Sequence, residues 1–351
     1  MEVLVADKGR QESEGTGADL TQATPTKAEH RGSPSRPGPG SYLPNQFSRL
    51  LGLSRQELLE NEKSGLLPQP MRTPAGIRYY RAEDIPRYRA YLGLPSPVRS
   101  QRRQLFLNFK GGTGKSSISA SYGYRLAEMG IKTLMMDLDP QGHLTHCLGL
   151  SGAISSKTLY EVLAKGEDIR NVILKSALPT LQVLPSNLGL SPIDLALQPL
   201  NAREHRLKRA MRPILDDYEV IVMDASPSIS LLNLNAILAC NDLVIPVLAD
   251  FLSYHGLKIL FETLATIEED FGFMFDNIHI FLNRYNSSHR ICRRSRKALE
   301  THYMKYLLKT IVRQNTQIAE ATSEGMTIFK HSPSSRGASD IDRLVREVMN
   351  I

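Results

Sequence analysis

Cysteine is scarce in this sequence. Cys147, Cys240 and Cys292 are the only three among 351 residues, and none forms a C-x-x-C pair. That excludes a disulfide framework and a zinc site built on paired thiols, and it points to a reducing cytosol. Long apolar runs are missing too: none reaches the ~18 residues of a membrane-spanning helix. The N-terminus is polar and in places acidic, so a secretory signal is not expected. Acid is outnumbered by base, 36 Asp/Glu against 43 Lys/Arg, for a formal charge of +7. That excess favours an anionic partner, nucleic acid or an anionic membrane surface, over a soluble protein that is merely basic. The length allows two domains, and the 41 % apolar content supports at least one sizeable core.

Residues 1–44 are rich in Gly, Ser, Thr, Pro and charge, and read as a disordered tail. Residues 45–94 change character. Phe47, Leu50 and Leu51 stand at helical spacing, Gly52 permits a tight turn, and Ser54 is an N-cap for a second helix that Gly65 ends. "TPAGIRYY" follows as a hairpin with Gly76 at its tip, then a third helix from "AEDI". The "GLS" turn, "GLLP" exit and "GIRYY" wing resemble the MerR-like winged helix-turn-helix. In a helix-turn-helix the second helix enters the major groove. The resemblance therefore implies DNA contacts from Arg55 and Gln56, with Arg72, Arg78 and Arg81 flanking the wing on phosphates. Between Asn45 and Gln104, eleven Lys/Arg face five Asp/Glu, an excess suited to counterion release. A small helical interaction module with a solvated basic face is the competing reading. Residues 95–104 read as a linker.

From Leu105 onward, strand-like runs alternate with amphipathic helical segments. The runs are "QLFLNF", "KTLMMD", "LQVLPS", "EVIVMD", "DLVIPV", "IHIFLN" and "KTIV". This is the rhythm of an α/β domain: a mostly parallel sheet with helices on both faces, here residues 105–351. Ligands of such sheets bind beyond the carboxyl ends of the strands. Gly111, Gly112 and Gly114 sit between the first strand and a helix, where backbone N–H groups close on phosphate oxygens. Lys115 is placed to reach the β- and γ-phosphates, and Ser116 to ligate Mg²⁺. The loop lacks the first glycine of the usual G-x-x-x-x-G-K-[ST] pattern; Phe109 stands there, followed by a second lysine, Lys110.

"KGGTGKSS" resembles the deviant phosphate loop of the ParA/MinD superfamily of ATPases. The resemblance implies a nucleotide site made of Lys110, Gly111, Gly112, Thr113, Gly114, Lys115, Ser116 and Ser117, with ATP and Mg²⁺ as cofactors. It implies a homodimer on ATP binding, in which Lys110 crosses to the partner's nucleotide. "DLDPQG" is similar to the family's next motif, with Asp139 positioning the attacking water and Asp137 supporting Mg²⁺ through its waters. "MDASPS" resembles the segment whose acid, Asp224, holds a Mg²⁺-bound water, although Ser226 stands where the family commonly has Pro. "FLNRYN" looks like the adenine-contacting segment, with Asn283 as the base contact. Asp250 replaces the family's usual Glu in "IPVLADFLSYHGL", and Arg313 and Gln314 replace a usual Pro-Arg pair.

The winged block beside this domain resembles the long DNA-binding ParA branch that includes the RepA partition proteins of RepABC plasmids. That implies a weak, DNA- and partner-stimulated ATPase for DNA partition. It would be cytoplasmic and nucleoid-associated, stimulated by a ParB-like protein, and would autoregulate its operon. The alternatives are an ATPase that positions a protein cargo on the nucleoid, and an ATP-switched transcriptional regulator. A membrane anchor is not expected, because "SDIDRLVREVMNI" is short and mixed in charge. From Asn286 to Arg313, eight bases face one acid, Glu300, and Arg290, Arg293, Arg294, Arg296 and Lys297 lead the run. Such a patch binds phosphates with steep salt dependence, or is a solvated helix face.

Overall fold

The structure is a computed structural model that describes residues 41–150 and 157–351. Residues 1–40, most of the expected tail, lie outside the described residues. Order begins earlier than the sequence suggests: β1 (Ser41–Tyr42) precedes α1 (Pro44–Leu51). Two residues carry no periodicity to read, but Tyr42 is fully buried and Pro44 is pre-set for a first helical turn. Next come α2 (Arg55–Lys63), β2 (Met71–Arg72), β3 (Arg78–Arg81) and α3 (Ile85–Tyr91). Ser54 caps α2 as expected, accepting from the Glu57 N–H while Glu57 reaches back to the Ser54 N–H. The three short strands pair antiparallel in the order β1-β3-β2. The core of this unit is aromatic: Phe47 stacks on Tyr80 at 4.4 Å, and Tyr88 meets Phe47 edge-on at 5.0 Å.

The α/β part starts at β4 (Arg102–Phe106), inside the expected linker. It continues with α4 (Lys115–Glu128), β5 (Thr133–Asp137), α5 (His143–Cys147), α6 (Leu159–Lys165), β6 (Leu174–Lys175) and β7 (Leu181–Leu184). Then follow α7 (Ile193–Leu197), α8 (Arg206–Met211), β8 (Val220–Asp224), α9 (Leu231–Ala239) and β9 (Asp242–Leu248). The chain ends with α10 (Phe251–Phe271), β10 (Asn277–Tyr285), α11 (Arg290–Tyr303), β11 (Leu307–Arg313), α12 (Thr316–Ser323), α13 (Ile328–His331) and α14 (Arg336–Met349). All seven expected strands are present. The eight-stranded sheet runs β11-β10-β9-β4-β8-β5-β7-β6, parallel except for the edge strand β6. β4 lies between β9 and β8, so its carboxyl end opens at a point where the strand order reverses, the usual ligand crevice of such sheets.

Alternation along the strands divides the core in two. Phe106, Met135, Val222, Val244 and Phe281 face α4, α13 and α14. Leu105, Leu134, Met223, Leu243 and Ile280 face the layer containing α6 to α11. The unit of residues 41–94, expected to be a winged helix-turn-helix, joins the first of these cores, docked where α4 ends and α14 passes. α3 comes close here: a Cβ on Gly130 would lie 2.6 Å from the Arg89 side chain. Tyr42 donates a hydrogen bond to the Glu128 carboxylate. Arg125 pairs with Glu128 at 3.0 Å and with Asp342 at 2.9 Å, and lies 4.0 Å over the Phe329 ring.

Glu128 is completely buried, and burial pushes its pKa from the ordinary 4.5 up to about 7 against the pull of Arg125. A carboxyl with a raised folded-state pKa stabilises fully below the unfolded value and loses that contribution as pH rises through 7. The melting temperature of wild type relative to Glu128→Gln should therefore fall as pH rises from about 5 to 8. A pH-independent difference in paired thermal melts would contradict this account of the seam.

Candidate nucleotide site

The loop from Phe106 to Lys115 is held by a residue the sequence reading passed over. Asn108 donates to the Pro246 carbonyl at 2.8 Å and accepts the Lys110 N–H at 2.9 Å, and its own carbonyl takes Lys115 Nζ at 3.0 Å. Gly112 and Gly114 have φ of 74° and 84°, conformations that disfavour a Cβ. At Gly114 a Cβ would also meet Asn283 at 2.4 Å. Asn283 gives its amide N–H to the Thr113 carbonyl at 2.7 Å, bracing the loop from β10. It also lines a cleft of about 450 Å³ with Ser117, Arg284, Gln314 and Asn315, open beside the loop where a base could lie.

Three acids converge on the loop. Lys115 is buried and its pKa is lowered by desolvation, a shift opposed by the charges of Asp224 and Asp139. Asp224 is wholly buried, and desolvation, reinforced by the charge on Asp137, raises its pKa to about 7. Ser119 donates to its Oδ1 at 3.1 Å, while its Oδ2 has no hydrogen-bond partner. The Thr113 hydroxyl is likewise buried and unpartnered. An orphaned carboxylate oxygen, with the Ser116 hydroxyl also interacting with Asp224, fits a Mg²⁺ ion carried in with a phosphate chain. Bound there, the ion would neutralise phosphate charge and orient its waters.

Asp137 is engaged differently. Its Oδ2 takes the N–H and hydroxyl of Thr145 at 2.9 and 2.7 Å, and its Oδ1 takes the Asp139 N–H at 3.1 Å. It thus fixes the turn that carries Asp139. Asp139 spends one oxygen on the Gln141 N–H at 2.9 Å. Gly142 completes the turn at φ 65°, with the Ser186 carbonyl 2.8 Å from where a Cβ would be. Gly142→Ala combines a left-handed backbone with a clash against backbone, so about 1–3 kcal/mol of stability should be lost. A denaturant midpoint equal to that of wild type would contradict this. The loop after β8 that carries Asp224 at its start is tied by Asn233, whose amide donates to the Ser226 and Ser228 carbonyls at 2.9 and 2.6 Å. That brace fixes the segment in which Ser226 replaces a proline.

Lys110 does not turn into its own loop. Its Nζ lies 2.9 Å from both Asp250 oxygens and 3.0 Å from Ser253 Oγ, at the start of α10.

A family model described as an AAA domain matches residues 103–278. The chain is 45 % identical over 309 residues to the cell division protein PomZ of Myxococcus xanthus, covering 88 % of this chain and 93 % of that protein. It belongs to the ParA/MinD superfamily of P-loop ATPases. Among solved structures, an ATP complex of McdA from Cyanothece matches with a TM-score of 0.65 at 19 % identity, over 72 % of this chain and 97 % of that one. The septum site-determining protein MinD of Pyrococcus horikoshii OT3, complexed with Mg-ADP, matches at 0.58 and 22 % identity, over 71 % and 96 %. Members of this superfamily serve in partitioning and positioning.

The residues expected to meet DNA fall on two surfaces. Arg55, Gln56, Arg72 and Arg81 are exposed on the N-terminal unit, where Gln56 donates to Glu60 at 2.8 Å. Arg78 is drawn inward, pairing with the buried Glu62 at 2.6 Å, while Tyr80 donates to the other Glu62 oxygen at 2.5 Å. On α11, Arg290, Arg293, Arg294 and Lys297 are exposed, and Cys292, Ser295 and Leu299 are buried. Arg296 pairs with Glu300 at 2.7 Å. Arg293 also donates to the Ser287 and Ser288 carbonyls, at 2.6 and 3.1 Å.

Proposed function

We propose that this chain is a DNA-tracking positioning ATPase that binds ATP and Mg²⁺ and closes into a homodimer with nucleotide at the interface. The position of Lys110 carries this reading. A lysine of the phosphate loop that pairs with Asp250 at the rim, rather than entering its own loop, is available to reach a second subunit. There it would stabilise charge on the partner's phosphates. Lys115 binds the β- and γ-phosphates, Ser116 and Asp224 hold Mg²⁺, and Asp139 orients the attacking water. Asn283 braces the loop and borders the base.

The dimer binds DNA without sequence preference, and a ParB-like partner stimulates a slow hydrolysis that releases it. The winged unit adds a DNA contact through α2, suited to an operator, as in the RepA-like branch. The cargo is a replicon or a protein assembly. The 45 % identity to a cell division protein favours the second. Among the described residues no helix is long and apolar enough to cross a membrane. A DNA mobility shift tests the reading. ATP should strengthen the shift markedly, added salt should weaken it steeply, and Lys110→Ala should remove the ATP-dependent part. A shift of equal size without ATP would overturn the reading.

A further inference from the structure

The two surfaces expected to meet DNA lie on opposite faces of the sheet. α11 buries Cys292 and Leu299 in the core shared with Leu105, Met223 and Ile280. The winged unit joins the other core, with Phe47 and Ile85 in the cluster that contains Phe106, Val222 and Phe281. Successive strand residues point to opposite sides, so these two cores are the two sides of one sheet. The winged unit is also docked at the Glu128 end of α4, whose 14 residues span about 21 Å from the phosphate loop. It therefore stands clear of the nucleotide. Its contacts with the α/β part run through Tyr42, Gln46, the Arg49 carbonyl and α3. Arg55 and Arg81 remain exposed.

A single duplex cannot readily serve both surfaces. DNA has a persistence length of about 150 bp, and reaching from one side to the other would require it to double back around a three-layered domain. Two separate segments meet no such constraint. We propose that the chain holds two duplexes at once, one on the winged unit and one on α11, and so bridges DNA. This rests on the DNA reading above and deepens it: the partner of the whole molecule is a pair of DNA segments. The seam of buried Tyr42, Glu128 and Arg125 with half-buried Asp342 fixes the winged unit to the body, so the two surfaces are held apart rather than tethered by a loose linker.

The test is co-capture. One duplex is immobilised, the full-length protein is added with ATP and Mg²⁺, and a second labelled duplex is supplied. Wild type should retain the label. The doubly substituted Arg55→Glu/Arg81→Glu and Arg294→Glu/Lys297→Glu chains should each still bind one duplex and lose co-capture at least about tenfold. Circular dichroism melts matching wild type establish that these surface variants fold. Undiminished co-capture by the winged-unit variant would overturn the proposal, since two copies of α11 would then suffice. Loss of all binding in either variant would overturn it too, by showing one composite surface. Wild type that shifts a single duplex without co-capture defeats this inference alone, whereas wild type that binds no duplex defeats the DNA reading beneath it.

Discussion

Asp139→Ala should bind ATP nearly as well as wild type and hydrolyse it roughly 10²–10⁴-fold more slowly, the range expected when a positioned general base is removed. The geometry separates the two effects. Asp139 sits on a turn held by Asp137 and Gly142, 8 % exposed, while Lys115 and the loop N–H groups are the groups proposed to bind the phosphates. One Asp139 oxygen is committed to the Gln141 N–H, which orients the carboxylate. Its charge also acts on Lys115, so its removal relieves part of the field that keeps the buried ammonium protonated. A nucleotide titration combined with single-turnover hydrolysis resolves the two. Unchanged turnover in the presence of DNA and partner would show that the attacking water is oriented by another group. With hydrolysis blocked, the ATP-bound form should accumulate on DNA.

Much of the fold was legible before the structure. The seven parallel strands carry continuous apolar runs because helices bury both their faces, and each run ends near Gly, Asp or Asn. The phosphate loop was readable because glycine spacing has a direct backbone meaning. What escaped is instructive in particular cases. β6 is two residues long, and no pattern can mark it. The stretch from Ala202 to Leu215 looks like one helix. Pro213 removes an N–H, and the segment runs as a short 3₁₀ turn, α8, and a second 3₁₀ turn. Tyr42 lies in a polar context and is ordered by a distant partner, Glu128, which no local pattern encodes. Arg78 fits the wing pattern, yet Glu62 on α2 captures its charge.

In the site the types of residue were readable, but their partners were not. Asn108 and Thr145 brace the phosphate loop and the Asp139 turn through hydrogen bonds that cross from one element to another. The rest position of Lys110 depends on Asp250, 140 residues away.

Lys110→Ala is expected to leave nucleotide binding to the monomer largely intact and to remove ATP-dependent dimerisation, with DNA- and partner-stimulated hydrolysis falling about 10²–10³-fold. Lys110 Nζ rests on Asp250 and Ser253, and in the proposed dimer its charge serves the partner's phosphates rather than its own subunit's. Lys115 remains, held by Asn108 and flanked by Asp224 and Asp139, to keep the nucleotide. Lys115→Ala provides the contrast, since it should lose nucleotide binding itself. If Lys110→Ala and Lys115→Ala failed in the same way, both lysines would be acting within one subunit.

In the proposed cycle ATP closes two subunits through Lys110. The most direct measurement is the mass of the particle in solution, by light scattering, for Asp139→Ala and for Asp139→Ala/Lys110→Ala, each with ADP and with ATP and Mg²⁺. Asp139→Ala should be a dimer only with ATP and Mg²⁺, and the double variant a monomer under every condition. An ATP-saturated Asp139→Ala chain that stays monomeric would contradict the cycle, and so would a dimer that forms equally well without Lys110.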